Sequence, residues 1–172
     1  MRIRATESQD HEDILELVRE AFADEGRDGH EEVDVVLETW ARGAVADGLD
    51  LVADDDGVVG HVMAARGRLE GRDAIAIAPL SVSPSRQRQG IGTALMTELL
   101  ARADAVGWPF VLLLGDPDYY GRFDFEPAGP LGIVYPPVGA DSQHFQIRRV
   151  RDLDASAWRG TFTYCWELPR AG

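Results

Sequence analysis

The stretch Leu80-Ser81-Val82-Ser83-Pro84-Ser85-Arg86-Gln87-Arg88-Gln89-Gly90-Ile91-Gly92-Thr93-Ala94 constrains the fold more than any other part of the chain. An apolar run ends at Val82, a polar loop with two glycines follows, and an amphipathic helix begins directly after it. Ile91, Leu95 and Leu99, with Met96, Leu100 and Ala103, give that helix a broad apolar stripe, and Gly107 ends it. The first N–H groups of a helix have no internal partner, and the helix dipole places positive charge there. Glycine lets an anion approach the backbone without meeting a Cβ. Such a junction binds phosphate. A strand-to-helix turn that binds nothing carries the same glycines, so the glycines alone decide nothing.

Two other phosphate loops are excluded. A dinucleotide-binding fingerprint needs a third small residue, but Gly90-x-Gly92 leads to Leu95, and no later unit reads as a second nucleotide half. A P-loop needs lysine, and all 17 basic residues are arginine.

The rest of the chain supplies a sheet around this unit. Residues 2–5 alternate as a short edge strand. Ser8 or Asp10 can cap a helix carrying Ile14, Leu17, Val18, Ala21 and Phe22, broken by Gly26 and Gly29. A second helix has Val33, Val36, Leu37 and Trp40 on one face and ends near Gly43. Leu51–Ala53, the turn Asp55-Asp56-Gly57 and Val58–Met63 read as a hairpin. The next strand runs from Ala74 through Pro79 to Val82, where proline implies a bulge or an edge. Phe110–Leu114 is a strand buried on both faces, followed by a short helical segment over 117–122. Phe145–Ile147 and Thr161–Leu168 close the pattern, the latter with Phe162, Tyr164, Trp166 and Leu168 on one face. This order predicts an α/β (or α+β) fold, a single domain over 1–172 with helices on both faces of one sheet.

Composition narrows the function. The 172 residues fit one core, and no run nears the ~20 apolar residues of a membrane span. The amino terminus has no apolar signal core, so a cytoplasmic protein is expected. Cys165 is the only cysteine, and no Cys/His cluster has metal-ligand spacing, so no metal is expected. A net charge of −13 repels phosphate backbones and argues against nucleic acid, while it is compatible with a cationic amine.

The segment Gln87-Arg88-Gln89-Gly90-Ile91-Gly92 resembles the acetyl-CoA-binding motif of the GNAT superfamily, Gln/Arg-x-x-Gly-x-Gly/Ala. Leu80-Ser81-Val82-Ser83-Pro84 resembles the bulged strand before that motif. The run Leu114-Gly115-Asp116-Pro117-Asp118-Tyr119-Tyr120-Gly121-Arg122-Phe123-Asp124-Phe125-Glu126-Pro127-Ala128 is similar to that of the bacterial YhbS-like acetyltransferases. Gly160–Tyr164 is similar to the family's final strand. One departure is Asp124, where the family has the glycine of Phe-Gly-Phe, although aspartate tolerates positive φ better than most residues.

The resemblance implies a mixed, mostly antiparallel sheet of six to seven strands, splayed in the middle. It implies an N-acetyltransferase moving an acetyl group from acetyl-CoA to a primary amine, preferably on a small molecule, by direct attack in a ternary complex. An acyl-CoA-binding sensor with this fold and little turnover is the alternative; acetylation of a macromolecule is another. By the same resemblance, residues 87–93 (Gln87, Arg88, Gln89, Gly90, Ile91, Gly92 and Thr93) would hold the pyrophosphate, with Arg88 and Arg86 as cationic candidates. The pantetheine arm would run beside Leu80, Ser81 and Val82, with the Val82 N–H toward the thioester oxygen, and Asp116 and Tyr120 would complete the cofactor-binding set. Tyr120 would be the acid that protonates the leaving thiolate, and Tyr119 a surface-tipped core residue. The base is not identified. Glu25, His30 and Glu31 fall where the superfamily shapes the acceptor site. His61 reads as a packed histidine, His11 and His144 carry no signal, and Cys165 reads as a packing residue. A monomer or a homodimer is expected.

Overall fold

A computed structural model of the chain describes residues 1–24, 27–152 and 154–169. In chain order the elements are β1 (Arg2–Ala5), α1 (His11–Phe22), α2 (His30–Ala41), β2 (Val45–Asp54), β3 (Val58–Leu69), β4 (Arg72–Val82), α3 (Ile91–Val106) and β5 (Phe110–Leu114). Then follow α4 (Pro117–Tyr120), β6 (Glu126–Pro127), β7 (Ile133–Val134), β8 (Phe145–Arg149) and β9 (Gly160–Tyr164). A two-residue ribbon, Ala23–Asp24 with Arg27–Asp28, lies between α1 and α2.

The main sheet has nine strands in the order β1-β2-β3-β4-β5-β8-β6, with β9 paired to β3 and β7. Seven strands are four residues or longer, as expected; β6 and β7 are two-residue pairs with no periodicity to read. Pairing is antiparallel except at β4–β5 and β7–β9. Side chains alternate across the strands. Leu51, Ala53, Val62 and Ala64 pack with Leu95, Met96 and Leu99 of α3. Val52 and Met63 face the other way, onto Ile14 and Val18 of α1 and Val36 of α2. The sheet is thus covered on both faces, and a third cluster of Phe110, Leu112, Phe145, Ile147 and Phe162 fills its far end.

Two irregularities position the site. Val62 pairs with Leu80 and Ala64 with Ile77, so Ala78 and Pro79 both stand opposite Met63. This is the bulge that Pro79 implied. The parallel β4–β5 contact spans only Ala76↔Leu112 and Ile77↔Leu113. Beyond it β4 continues to Val82 without β5, and the sheet opens.

The structure corrects three expectations. The strand expected over 161–168 ends at Tyr164, and Cys165–Glu167 form a helical turn. The Glu167 carboxylate accepts the Tyr164 N–H at 2.8 Å and turns the chain, while Trp166 folds back to stack on Tyr164 at 4.4 Å. Leu37, assigned to the buried face of α2, is 43% exposed. Strand β2 starts at Val45, six residues before its apolar run becomes regular, because its first part carries a register shift.

Candidate active site

The opening between β4 and β5 communicates with two cavities. The first, about 600 Å³, lies on the α3 side. Leu80 and Val82 of β4 form one wall; Gln87, Arg88, Gly90, Ile91, Gly92 and Thr93 form the second; Asp116, Tyr119, Tyr120 and Arg122 form the third.

The second wall is an anion site by construction. Ala94 N–H bonds the Gly90 carbonyl at 3.0 Å and closes the first turn of α3, so the N–H groups of Ile91, Gly92 and Thr93 precede any helix partner. Gly90 caps the helix at φ 86°, and Arg88 also adopts the left-handed region at φ 60°. A non-glycine residue there is strained, and such strain concentrates at ligand-binding loops. Ser83 N–H bonds Val59 O at 3.0 Å, so by the alternation of an antiparallel ladder the Val82 N–H points away from β3, into the opening. The Gln87 amide donates to Val82 O at 3.3 Å and ties the loop to the strand.

Ten of the twelve residues named from the sequence for this region therefore line one cavity. Ser81 and Gln89 do not. Ser81 is buried on the opposite face, paired with His61, and Gln89 turns outward to Ser85 O and the Arg86 side chain. Arg86 does not line it either: its guanidinium is held by Asp55 at 2.5 Å. The second cationic group is Arg122, whose guanidinium lies 4.4 Å from the Tyr119 ring centroid. Tyr119 is a wall residue too, and its hydroxyl sits where a Cβ on Gly92 would come within 2.5 Å.

The second cavity, about 400 Å³, lies on the α1/α2 side of the opening. Leu80, Asp116 and Tyr120 line both cavities. Its wall is largely apolar and aromatic, with Phe22, Val35, Ile77, Pro79, Leu113, Tyr135, Tyr164 and Trp166, and its acidic members are Glu32 and Asp116. Tyr120 stands between the two, its ring against Tyr119 and Phe125. Burial, with smaller contributions from Tyr119 and the Asp116 carboxylate, pushes its phenol above the ordinary value, so it keeps its proton across the neutral range. Asp124 follows in the left-handed region at φ 63°, which aspartate tolerates better than most residues.

The remaining candidates separate. His30 is exposed beside Asp28, Glu31 faces a small surface hollow, and Glu25 lies outside the described residues. The neighbouring Glu32 reaches the second cavity, and only its helical phase relative to Val35 and Val36 could have indicated that. His61 is fully buried, with Nε2 2.8 Å from Asp50. His11 stacks on Trp40, and His144 Nδ1 lies 3.1 Å from Gly115 O. The Cys165 thiol is buried near Thr39, and burial pushes its pKa up, the reverse of an activated nucleophile. Among the described residues, no group of three His, Cys, Asp or Glu could hold a metal, and no helix is long and apolar enough to cross a membrane.

Known proteins share this fold. The pattern of the acetyltransferase (GNAT) domain family matches residues 2–128. The chain is 34% identical over 120 residues to the N-acetyltransferase YhbS of Escherichia coli, covering 67% of this chain and 71% of that protein. It is 31% identical over 137 residues to the E. coli N-acetyltransferase YjhQ, covering 76% and 73%. The crystal structure of E. coli YhbS in complex with CoA superposes with a TM-score of 0.84 at 30% identity, covering 95% of this chain and 88% of that one. A GNAT family acetyltransferase from Brucella melitensis in complex with acetyl-CoA gives a TM-score of 0.76 at 29% identity, covering 95% and 94%.

Proposed function

The chain belongs to the GNAT acetyltransferase family, and from that premise we propose that it moves the acetyl group of acetyl-CoA to a primary amine, residues 1–172 acting as one catalytic domain. The observation that carries this reading is the position of Tyr120, on the boundary of both cavities at the opening of the sheet. One cavity suits a phosphate-bearing donor and the other an acceptor.

Acetyl-CoA, as a substrate, supplies the acetyl thioester. The fit rests on the α3 amine-terminal N–H groups, on Arg88 and Arg122, and on Gly92, where any Cβ would press on Tyr119. These groups take the pyrophosphate. Leu80 and Val82 flank the pantetheine arm, and the Val82 N–H is the donor toward the thioester oxygen, where negative charge grows. An alkyl amine of pKa ~10 arrives protonated and must lose a proton before attack; Asp116, which borders both cavities, is the carboxylate nearest that role. As the C–S bond breaks, Tyr120 delivers its phenolic proton to the sulfur.

Tyr120→Phe is the direct test. The reading expects kcat on a true substrate to fall roughly 100-fold or more across pH 6–9 with acetyl-CoA affinity retained. Wild-type kcat in the variant would remove Tyr120 from the mechanism.

A further inference from the structure

The acceptor cavity has a chemistry of its own. Its walls are rings and aliphatic groups: Phe22 from α1, Val35 from α2, and Tyr135 and Trp166 from the carboxyl-terminal third. Two of its polar groups are already engaged. The Tyr135 hydroxyl donates to Glu167 at 2.8 Å, and the Glu32 carboxylate is ion-paired with Arg27. Asp116 remains as the wall's acidic group with no ion pair among the described residues; it is exposed, borders both cavities together with Tyr120, and accepts the Asp118 N–H at 2.9 Å through one carboxylate oxygen.

A polyamine or a polyhydroxylated aminosugar would leave most of its charges or hydroxyls facing rings, and unpaired polar groups in an apolar site are costly. A single ammonium group beside Asp116, followed by an apolar body, leaves nothing unpaired. The cavity of about 400 Å³ lies at the small end of the range for small-molecule sites.

Resting on the acetyltransferase reading above, we infer that the acceptor is a small monoamine with an apolar, preferably aromatic, body. Its ammonium docks at Asp116 and its body lies against Val35, Tyr135 and Trp166. The reaction balances as ammonium plus thioester giving amide, thiol and one proton. The N–C bond forms as the C–S bond breaks, one ammonium proton goes to solvent by way of Asp116, and a second replaces the proton that Tyr120 gives to sulfur.

The experiment has two arms. Acetyl-CoA binding is first measured by calorimetry; failure there sinks the acetyltransferase reading and this inference with it. With binding in hand, thiol release is followed with 2-phenylethylamine, hexylamine, spermidine, tobramycin and a peptide bearing a free amino terminus. The inference expects kcat/KM for 2-phenylethylamine at least about tenfold above spermidine and tobramycin, the margin that one polar group left unpaired in an apolar site costs. It also expects 2-phenylethanol, which has the body without the charge, to compete with the amine but not with acetyl-CoA. Arg27→Ala, which frees Glu32 at the outer wall, should shift the preference toward a diamine such as cadaverine without changing acetyl-CoA affinity. Preference for spermidine, tobramycin or the peptide, or no competition by 2-phenylethanol, would overturn the inference and leave the acetyltransferase reading standing.

Discussion

Gly115 follows β5 at the point where the sheet opens, and replacing it with alanine perturbs Tyr120 without touching its chemistry. A Cβ on Gly115 would lie 2.8 Å from Cδ2 of the Tyr120 ring and closer still to Cε2. Carbon atoms rest at about 3.5–4.0 Å, so the ring edge must retreat by roughly 1 Å. It cannot retreat freely. Tyr119 stands edge-on at a centroid distance of 4.9 Å and Phe125 at 6.0 Å. The Gly115 backbone cannot yield either, since its N–H bonds His144 O at 2.9 Å and its carbonyl accepts from Gln146 Nε2 at 3.1 Å. Overpacking of this kind costs about 1–3 kcal/mol of stability. A 1 Å misplacement of a reacting group costs on the order of 100-fold in rate. Gly115→Ala should therefore fold, unfold at lower urea, bind acetyl-CoA nearly as the wild type does, and lose roughly 100-fold in kcat by thiol release. Added to Tyr120→Phe it should cost little more, because both act through one hydroxyl. A folded Gly115→Ala enzyme with wild-type kcat would refute the placement of Tyr120 as the acid.

Other outcomes follow from the same geometry. Arg88→Ala and Arg122→Ala should each weaken acetyl-CoA binding about tenfold at low salt and less at high salt, as calorimetry at two ionic strengths would show. Arg4 holds the buried Asp10 carboxylate below the usual carboxylate range through bonds of 2.7 and 2.8 Å, against the opposing effect of burial. A depressed carboxylate contributes stability that is present above its unfolded pKa of ~3.9 and is lost as pH falls through the folded value. Asp10→Asn should thus cost about 2 kcal/mol at pH 7 in urea unfolding, and the gap to wild type should close below about pH 4.

What was legible in the sequence is what single elements encode. The stripe Ile91-Leu95-Leu99 ended by Gly107 gave α3 with its observed bounds, and Pro79 marked the bulge. Leu80 to Thr93 meet because one strand, one loop and one helix end carry them nearly in succession, and Asp116 and Tyr120 join them because β5 lies parallel to β4. What stayed hidden depends on long-range partners. Arg86 read as a phosphate ligand until Asp55, 31 positions earlier, was found to hold it. Glu167, by accepting the Tyr164 N–H, ended a strand whose alternation would have carried to Leu168. The wall of the second cavity draws Phe22, Val35, Tyr135 and Trp166 from four separate segments, and no local pattern joins them.

The proposed function stands or falls on whether the cavity at the N-terminus of α3 receives acetyl-CoA. Calorimetric titration of the purified protein with acetyl-CoA, beside a Gly92→Glu variant, tests it most directly. Gly92 has Tyr119 Oη 2.5 Å from its Cβ position, so a glutamate there both fills the cradle and opposes the pyrophosphate with its charge. The wild type should bind with micromolar affinity, and a folded variant should not. No binding by folded wild-type protein, or equal binding by the variant, would contradict it.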